Sequence, residues 1–312
     1  MILTVTPNPC VDKTVYVDEI KIGTFMRSSR CTCIAGGKGT NVSRGIAALG
    51  RTTRAMVIVG GHSGAHVVEM IEKQDCIECI PAWVASQTRT ITTVLEQTVH
   101  RQTAFFEPGS RVTNEEAQGI VETFRNALPG AKVVTFSGTV PDPSIKWLYR
   151  ELIPIAKKAQ VVALLDSHGP EFALGLEAVP YMVKPNISEA EELLGYSLET
   201  MDARWRAVEE FHQRGVELVV LSLGREGALV SRGSERFQVI PPHVREVNPV
   251  GSGDALLSAF AIGLIEGMPL KMMAMLGCAA GTANAMSWDI GHFSREEVEA
   301  LLPRMEIRSI SE

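Results

Sequence analysis

Residues 132–165 read KVVTFSGTVPDPSIKWLYRELIPIAKKAQVVALL. Two short apolar runs, Lys132-Val-Val-Thr-Phe136 and Val161-Val-Ala-Leu-Leu165, flank a segment with helical spacing over 143–158. Strands covered on both faces should be almost wholly apolar, and these are. Working outward, the same kind of run recurs at Ile2-Leu-Thr-Val-Thr6, Ala55-Met-Val-Ile-Val59, Tyr181 to Val183 and Leu218-Val-Val-Leu-Ser222. Helical spacing recurs between them over 40–49, 64–73, 114–127 and 202–213. Strand and helix in alternation predict an α/β protein, a three-layer sandwich with a mostly parallel central sheet.

Two segments break that rhythm. Val11 to Cys33 and Thr88 to Glu107 are rich in Thr, Val, Ile and Phe, carry charges and have no helical period. They read as antiparallel ribbons with one wet face, a small β lid inserted at about 11–34 and 88–108. Ser231 to Ile240 reads as a further hairpin turning at Arg232-Gly-Ser. The Ala-, Leu- and Met-rich stretch from Ser252 to Met286 predicts two packed helices joined around Gly267-Met-Pro269. One domain over 1–312 is expected.

The 312 residues are 45% hydrophobic and 21% charged, an ordinary globular balance large enough to bury a core. Lys+Arg 30 against Asp+Glu 36 gives a net charge of −6, so no basic footprint for nucleic acid is present. An anionic substrate must then be met by a few local cations. The start has no charged leader, and no apolar run reaches the roughly 18 residues of a membrane span, so a cytosolic protein without membrane partners is expected. Six cysteines include Cys31-Thr-Cys33 and Cys76-Ile-Glu-Cys79, but no histidine completes a familiar zinc pattern, and reduced thiols are expected.

Four motifs could carry chemistry. Ala35-Gly-Gly-Lys-Gly-Thr-Asn-Val-Ser43 leads into a helix, where glycines permit close backbone approach and a helix start offers unpaired N–H groups. Lys38 adds a charge suited to phosphate, although Gly39 after it departs from a P-loop. Asn41 could equally be a helix cap. Asn248-Pro-Val-Gly-Ser-Gly-Asp-Ala255 would aim the Gly251, Ser252 and Gly253 amides at one point, with Asp254 in the first turn able to accept a hydroxyl proton. An aspartate there is also favoured by the helix dipole alone. In Lys184-Pro-Asn-Ile-Ser-Glu-Ala-Glu191, Ser188 and Glu191 have capping-box spacing, which leaves Asn186 and Glu189 to order magnesium and its waters. Leu221-Ser-Leu-Gly-Arg-Glu-Gly-Ala228 is a strand and glycine turn that could line a nucleotide pocket or merely close a hairpin.

Taken in order, Gly36-Gly-Lys-Gly-Thr-Asn41, Ser137-Gly138, Lys184-Pro-Asn186 with Glu189, Ser222-Leu-Gly224, Gly251-Ser-Gly-Asp254 and Ala283-Asn-Ala285 closely resemble the PfkB/ribokinase-like carbohydrate kinases. Thr6-Pro-Asn-Pro-Cys-Val-Asp12 and Asn248 to Asp254 look most like the hexose-phosphate branch, which includes 1-phosphofructokinase and tagatose-6-phosphate kinase. The resemblance implies ATP and Mg²⁺ as cofactors and a sugar phosphate as acceptor, with fructose 1-phosphate first. Tagatose 6-phosphate or fructose 6-phosphate is the alternative within the branch, and a non-catalytic sugar-phosphate sensor is the alternative of another class.

By resemblance, Asp254 would be the base and Gly251, Ser252 and Gly253 the anion hole. Asp12, Gly37 and Asn41 would grip sugar hydroxyls, and Lys38 with Arg89 would meet the substrate phosphate. Lys184, Asn186, Glu189, Ser222, Gly224, Gly227 and Asn284 would serve the nucleotide, with Glu189 meeting the metal through water. A homodimer through the lid is implied. Val140, Asp142 and Ala104 depart from the branch pattern at positions bordering the expected sugar pocket.

Overall fold

The computed structural model describes residues 1–99 and 101–309. His100, within the expected 88–108 ribbon, and residues 310–312 of the expected 1–312 domain lie outside the described residues. Fourteen strands are described: β1 (Ile2–Thr6), β2 (Cys10–Val17), β3 (Arg30–Gly36), β4 (Thr53–Val59), β5 (Glu78–Trp83), β6 (Thr90–Glu96), β7 (Arg101–Phe106), β8 (Val133–Ser137), β9 (Val162–Asp166), β10 (Met182–Val183), β11 (Leu218–Ser222), β12 (Ala228–Arg232), β13 (Glu235–Ile240) and β14 (Glu306–Ser309). The helices are α1 (Lys38–Ala48), α2 (Gly61–Glu69), α3 (Asn114–Ala127), α4 (Leu148–Lys158), α5 (Gly169–Glu177), α6 (Ile187–Leu194), α7 (Met201–Gln213), α8 (Ser252–Glu266), α9 (Leu270–Ala285) and α10 (Arg295–Leu301).

Ten strands form one sheet in the order β14-β13-β12-β11-β10-β9-β8-β1-β4-β5. The seven from β11 to β5 run parallel, and β12, β13 and β14 extend the β11 side antiparallel. The expected α/β sandwich is therefore present, a ribokinase-like fold. Side chains alternate between its faces as a period of two requires. Leu3, Ala163, Leu165, Val183, Val219 and Leu221 pack with Phe124 of α3, Leu152 of α4, Phe172 of α5 and Phe211 of α7. Ile2, Leu164, Met182, Leu218 and Val220 pack on the other face with Ile46 of α1, Leu257 of α8 and Ala279 of α9. Each such large side chain, once buried, contributes roughly 1.5–3 kcal/mol. Tyr149 is wholly buried, and its hydroxyl donates to the Gly138 carbonyl at 2.6 Å, so its polar tip is matched.

The two exceptional segments form a separate four-stranded sheet, β3-β2-β6-β7. Its hairpins are antiparallel as expected, but β2 and β6 join them in parallel. Each expected ribbon is thus present, and the parallel β2–β6 pairing is what merges the two into one sheet. Phe105 and Phe106 on β7 are 62% and 69% exposed.

Helix ends follow local chemistry. Thr113 and Glu116 form a capping box on α3. In α6 the box is not Ser188 with Glu191. The helix starts two residues earlier than that spacing requires, so Asn186 is the cap and Glu189 its reciprocal partner, each bond 2.9 Å. Asn41 is not a cap either, because Gly37 occupies that position in α1. Among the described residues, no helix is long and apolar enough to cross a membrane.

Candidate active site

Ligand clefts in open α/β sheets lie beyond the carboxyl ends of parallel strands. Here Asp166 ends β9, Lys184 follows β10 and Ser222 ends β11, and all three line one cavity of about 670 Å³. Lys38 and Asn41 reach it from the start of α1, Asn186 and Glu189 from the start of α6, and Gly251, Ser252, Gly253 and Asp254 from the start of α8. Gly224 and Gly227 lie on the turn between β11 and β12, whose wall continues into Pro241, Pro242 and His243. That turn closes a hairpin and also forms part of the cavity wall.

Glycine is needed at the α8 turn for a specific reason. Gly251 has φ 84°, and a Cβ there would meet Ile290 Cγ2 at 2.5 Å. No side chain caps α8, and its start is the positive end of the helix; the Ser252 amide there donates to the Pro249 carbonyl at 3.2 Å. Asp254 is 5% exposed, and its Oδ2 accepts from Asn41 Nδ2 at 2.8 Å. Burial first, and the nearby Asp166 charge second, push its carboxyl up to about 7. Lys38, Asn41 and Lys184 oppose that rise.

Lys38, Lys184 and Asp166 face this acid, and Glu189 stands behind Lys38. Lys38 Nζ lies 3.1 Å from Asp166 Oδ1 and 3.0 Å from Glu189 Oε1. Burial alone would lower the Lys38 ammonium, but Asp166, Glu189 and Asp254 outweigh it, so the charge is held firmly. Lys184 Nζ stands 3.2 Å from Asp166 Oδ2, an ion contact without hydrogen-bond alignment. Burial would raise Asp166, yet Lys184 and Lys38 draw it below the usual carboxylate range.

Four expected site residues lie outside the cavity lining. Gly37, with φ 126°, makes the turn into α1. Asp12 on β2 is half-buried beside Gly36, raised chiefly by burial and lowered by Arg44. Arg89 donates Nη2 to the Asn8 carbonyl at 3.1 Å, and its buried Nε has no partner among the described residues. Asn284, expected beside the nucleotide, is instead 1% exposed and braces the α8 turn. Its Nδ2 donates to the Val250 carbonyl at 2.8 Å and to Ser252 Oγ at 3.2 Å, while Oδ1 accepts from the Gly291 amide at 2.8 Å. Lys38 and Arg89, expected on one phosphate, are engaged with different groups.

Three further residues belong to the description. No motif marks Asp166, although a carboxylate directly after the apolar run Val162-Ala-Leu-Leu165 sits where a strand end meets a cleft. Arg44, on α1 behind Asn41, is likewise new. Asp142, one of the departures, is spoken for: its oxygens accept from the Val112 and Ser144 amides at 3.0 and 2.9 Å, which explains an acid there without a ligand.

The donor set also bears on magnesium. Among the described residues no three His, Cys, Asp or Glu side chains form a metal cage. Hard oxygens from Asp166, Asn186 and Glu189 at one cavity wall do suit an ion that keeps its waters and leans on substrate phosphates.

A family model described as pfkB family carbohydrate kinase matches residues 5–287. The chain belongs to that family. Members transfer a phosphoryl group, and this chain is accordingly a carbohydrate kinase and a transferase. It is 30% identical over 311 residues to tagatose-6-phosphate kinase of Staphylococcus epidermidis, covering 98% of this chain and 99% of that one. Phosphofructokinase-2 from Escherichia coli, in complex with fructose-6-phosphate, superposes with a TM-score of 0.88 at 27% identity, over 97% of this kinase and 98% of that chain. A Thermotoga maritima protein described as a possible 1-phosphofructokinase shares the fold, with a TM-score of 0.90 at 22% identity over 99% of both chains.

Proposed function

We propose that this kinase moves the γ-phosphoryl group of ATP to a primary hydroxyl of a phosphorylated ketohexose. The observation that carries the reading is Asp254: a buried carboxyl at about 7, on the cavity wall, at a helix start that no side chain caps. A base with a pKa near the working pH combines adequate strength with a usable ionised fraction. Asp254 takes the proton as the alcohol oxygen bonds to phosphorus, and the bond from phosphorus to the departing ADP oxygen breaks. The Gly251, Ser252 and Gly253 amides face the charge on the transferring group, and Lys38 and Lys184 add cations to the same wall. Asn186 and Glu189 would hold magnesium, which would supply neutralisation of the phosphate charge. The glycine turn at Ser222 to Gly227 offers the wall for the nucleotide.

On the acceptor side we assign sugar hydroxyls to Asp12, Gly37 and Asn41. Because Lys38 is already matched by Asp166 and Glu189, the cation left for the sugar phosphate is Arg89, whose buried Nε lacks a partner among the described residues. A ketohexofuranose carries primary carbons at both ends. One site with a cation at one end and a base at the other therefore accepts a 1-phosphate or a 6-phosphate by turning the ring. The sequence motifs put fructose 1-phosphate first. The named relatives of Staphylococcus epidermidis and Escherichia coli favour a 6-phosphate as the second reading. The second sheet acts as a lid that excludes water from the transfer, and its exposed Phe105 and Phe106 support a homodimer through that sheet in a cytosolic enzyme.

The test is a panel of sugar phosphates and free sugars with MgATP, ranked by kcat/KM. A phosphoketohexose should lead by at least ~10² over the free sugar, since losing a charged contact in a buried site costs that much. Equal use of free sugars would overturn the assignment of Arg89. Binding of a sugar phosphate without ADP release would point to the sensor.

A further inference from the structure

Arg44 is buried at 6% exposure and is not among the residues lining the cavity, yet its guanidinium joins four parts of the chain. Nη2 donates to the Ala35 carbonyl at 2.6 Å, the last buried residue of β3 before the glycines. Nε donates to Asp75 Oδ1 at 3.0 Å. Nη1 donates to Asn41 Oδ1 at 3.1 Å and to the Ile290 carbonyl at 3.3 Å.

The bond to Asn41 matters most. A primary amide has one accepting and one donating end, and the two look alike in shape. With Oδ1 committed to a guanidinium that can only donate, Nδ2 must face the other way, toward Asp254 Oδ2 at 2.8 Å. A turned amide would set its oxygen against the carboxylate. The Ile290 contact leads to the same helix start by a second route, because the next residue, Gly291, donates to Asn284, which in turn holds Val250 and Ser252.

We propose that Arg44 is the positioning residue of this site, locking the Asn41 amide so that it donates to Asp254 and tying the exit of the second sheet, through Ala35, to the base. This rests on the reading of Asp254 as the base. It has a consequence that a purely structural arginine lacks: loss of Arg44 lets Asn41 turn over, the carboxylate loses a donor, and Asp254 becomes harder to ionise.

The groups facing Asp254 are Asp166 at the end of β9, Lys38 and Asn41 on α1 and Lys184 after β10. Cys278 of α9 lines the same cavity, but burial pushes its thiol up to about 12, so it stays neutral. Glu189 of α6 faces Lys38, while Asp75 and Asp12 face Arg44. Lys38, Lys184 and Asp166 keep their contacts when Arg44 is changed, and the lost guanidinium charge would act with or without Asn41, so the double variant separates it from the amide.

The experiment titrates the Asp254 carboxyl by carbon NMR in protein labelled at the aspartate side-chain carbon, the signal assigned by its loss in Asp254→Asn. This readout needs no substrate, so it stands apart from the kinase assay that tests the proposed function. In Arg44→Met, which keeps the apolar stem, the midpoint should rise by roughly one pH unit, the size of one hydrogen bond to a charged group. Asn41→Ala should raise it similarly, and the double variant should go no further than Asn41→Ala alone. A midpoint unmoved in Arg44→Met, or shifts that add in the double variant, would overturn the proposal. Arg44→Lys, which keeps a buried cation for Asp75, provides the same reading if the methionine variant does not fold. There too an unmoved midpoint in a folded protein counts against it.

Discussion

The two helix starts that meet at the cleft share a backbone solution and differ in sign. Gly37 before α1 and Gly251 before α8 both adopt positive φ, and neither helix has a side-chain cap. In α1 the first residue is a lysine, which opposes the helix dipole, and the first turn holds no acid. In α8 the first turn holds Asp254, which the dipole favours. The dipole therefore settles neither case. Lys38 stays charged because Asp166 and Glu189 pair with it, and Asp254 rises to about 7 because burial and Asp166 outweigh the dipole. Local helix electrostatics, usually 0.3–1 kcal/mol, yield here to desolvation and direct pairs.

The contrast can be broken from either side. Asp254→Asn should lower kcat by at least ~10² while sugar KM changes little, because the amide keeps the shape and removes the base; steady-state kinetics would check this, and equal turnover would refute the role. Lys38→Met should lower kcat by about 10–10², the range for losing one charged contact to a transferring phosphoryl group. It should also move the acidic limb of the pH profile upward, since Lys38 holds Asp254 down.

Gly251→Ala should destabilise more than Gly253→Ala. The first forces an unfavourable φ against Ile290, while the second meets only Lys184 Nζ at 3.0 Å, the end of a flexible chain. About 1–2 kcal/mol of strain corresponds to a Tm lower by roughly 2–5 °C, readable by calorimetry. The smallest effect concerns stability and pH. An acid raised in the folded state binds its proton there while the unfolded chain has released it, so the native form loses stability as pH rises from about 4 through about 7. Asp254→Asn should accordingly raise Tm at pH 8, with the gain fading toward pH 4, measured as paired melts across that range.

The strands were legible because burial on both faces leaves an unbroken apolar run, as in Leu218 to Leu221. Those that escaped lack this signal. β5 contains Pro81, tolerated because the strand lies at the sheet edge, and β14 is four residues with one half-buried side chain. Glycine turns and Asp254 were visible because helix starts have a local chemistry. The partners that set their charge were not, since Asp166 lies 88 residues before Asp254 and Arg44 acts through Asn41 across a gap of 213 in sequence. The α6 cap shows the opposite limit. Two overlapping boxes fit the sequence, and the choice fell to where the preceding strand ends beside Ser222.

The most direct measurement of the central claim is kcat/KM against pH for the best acceptor, from pH 5 to 9, in the wild type. If Asp254 is the base in its buried setting, activity should fall tenfold per pH unit below an acidic limb near 7. A profile flat to pH 5, the behaviour of an ordinary exposed carboxylate, would contradict the account.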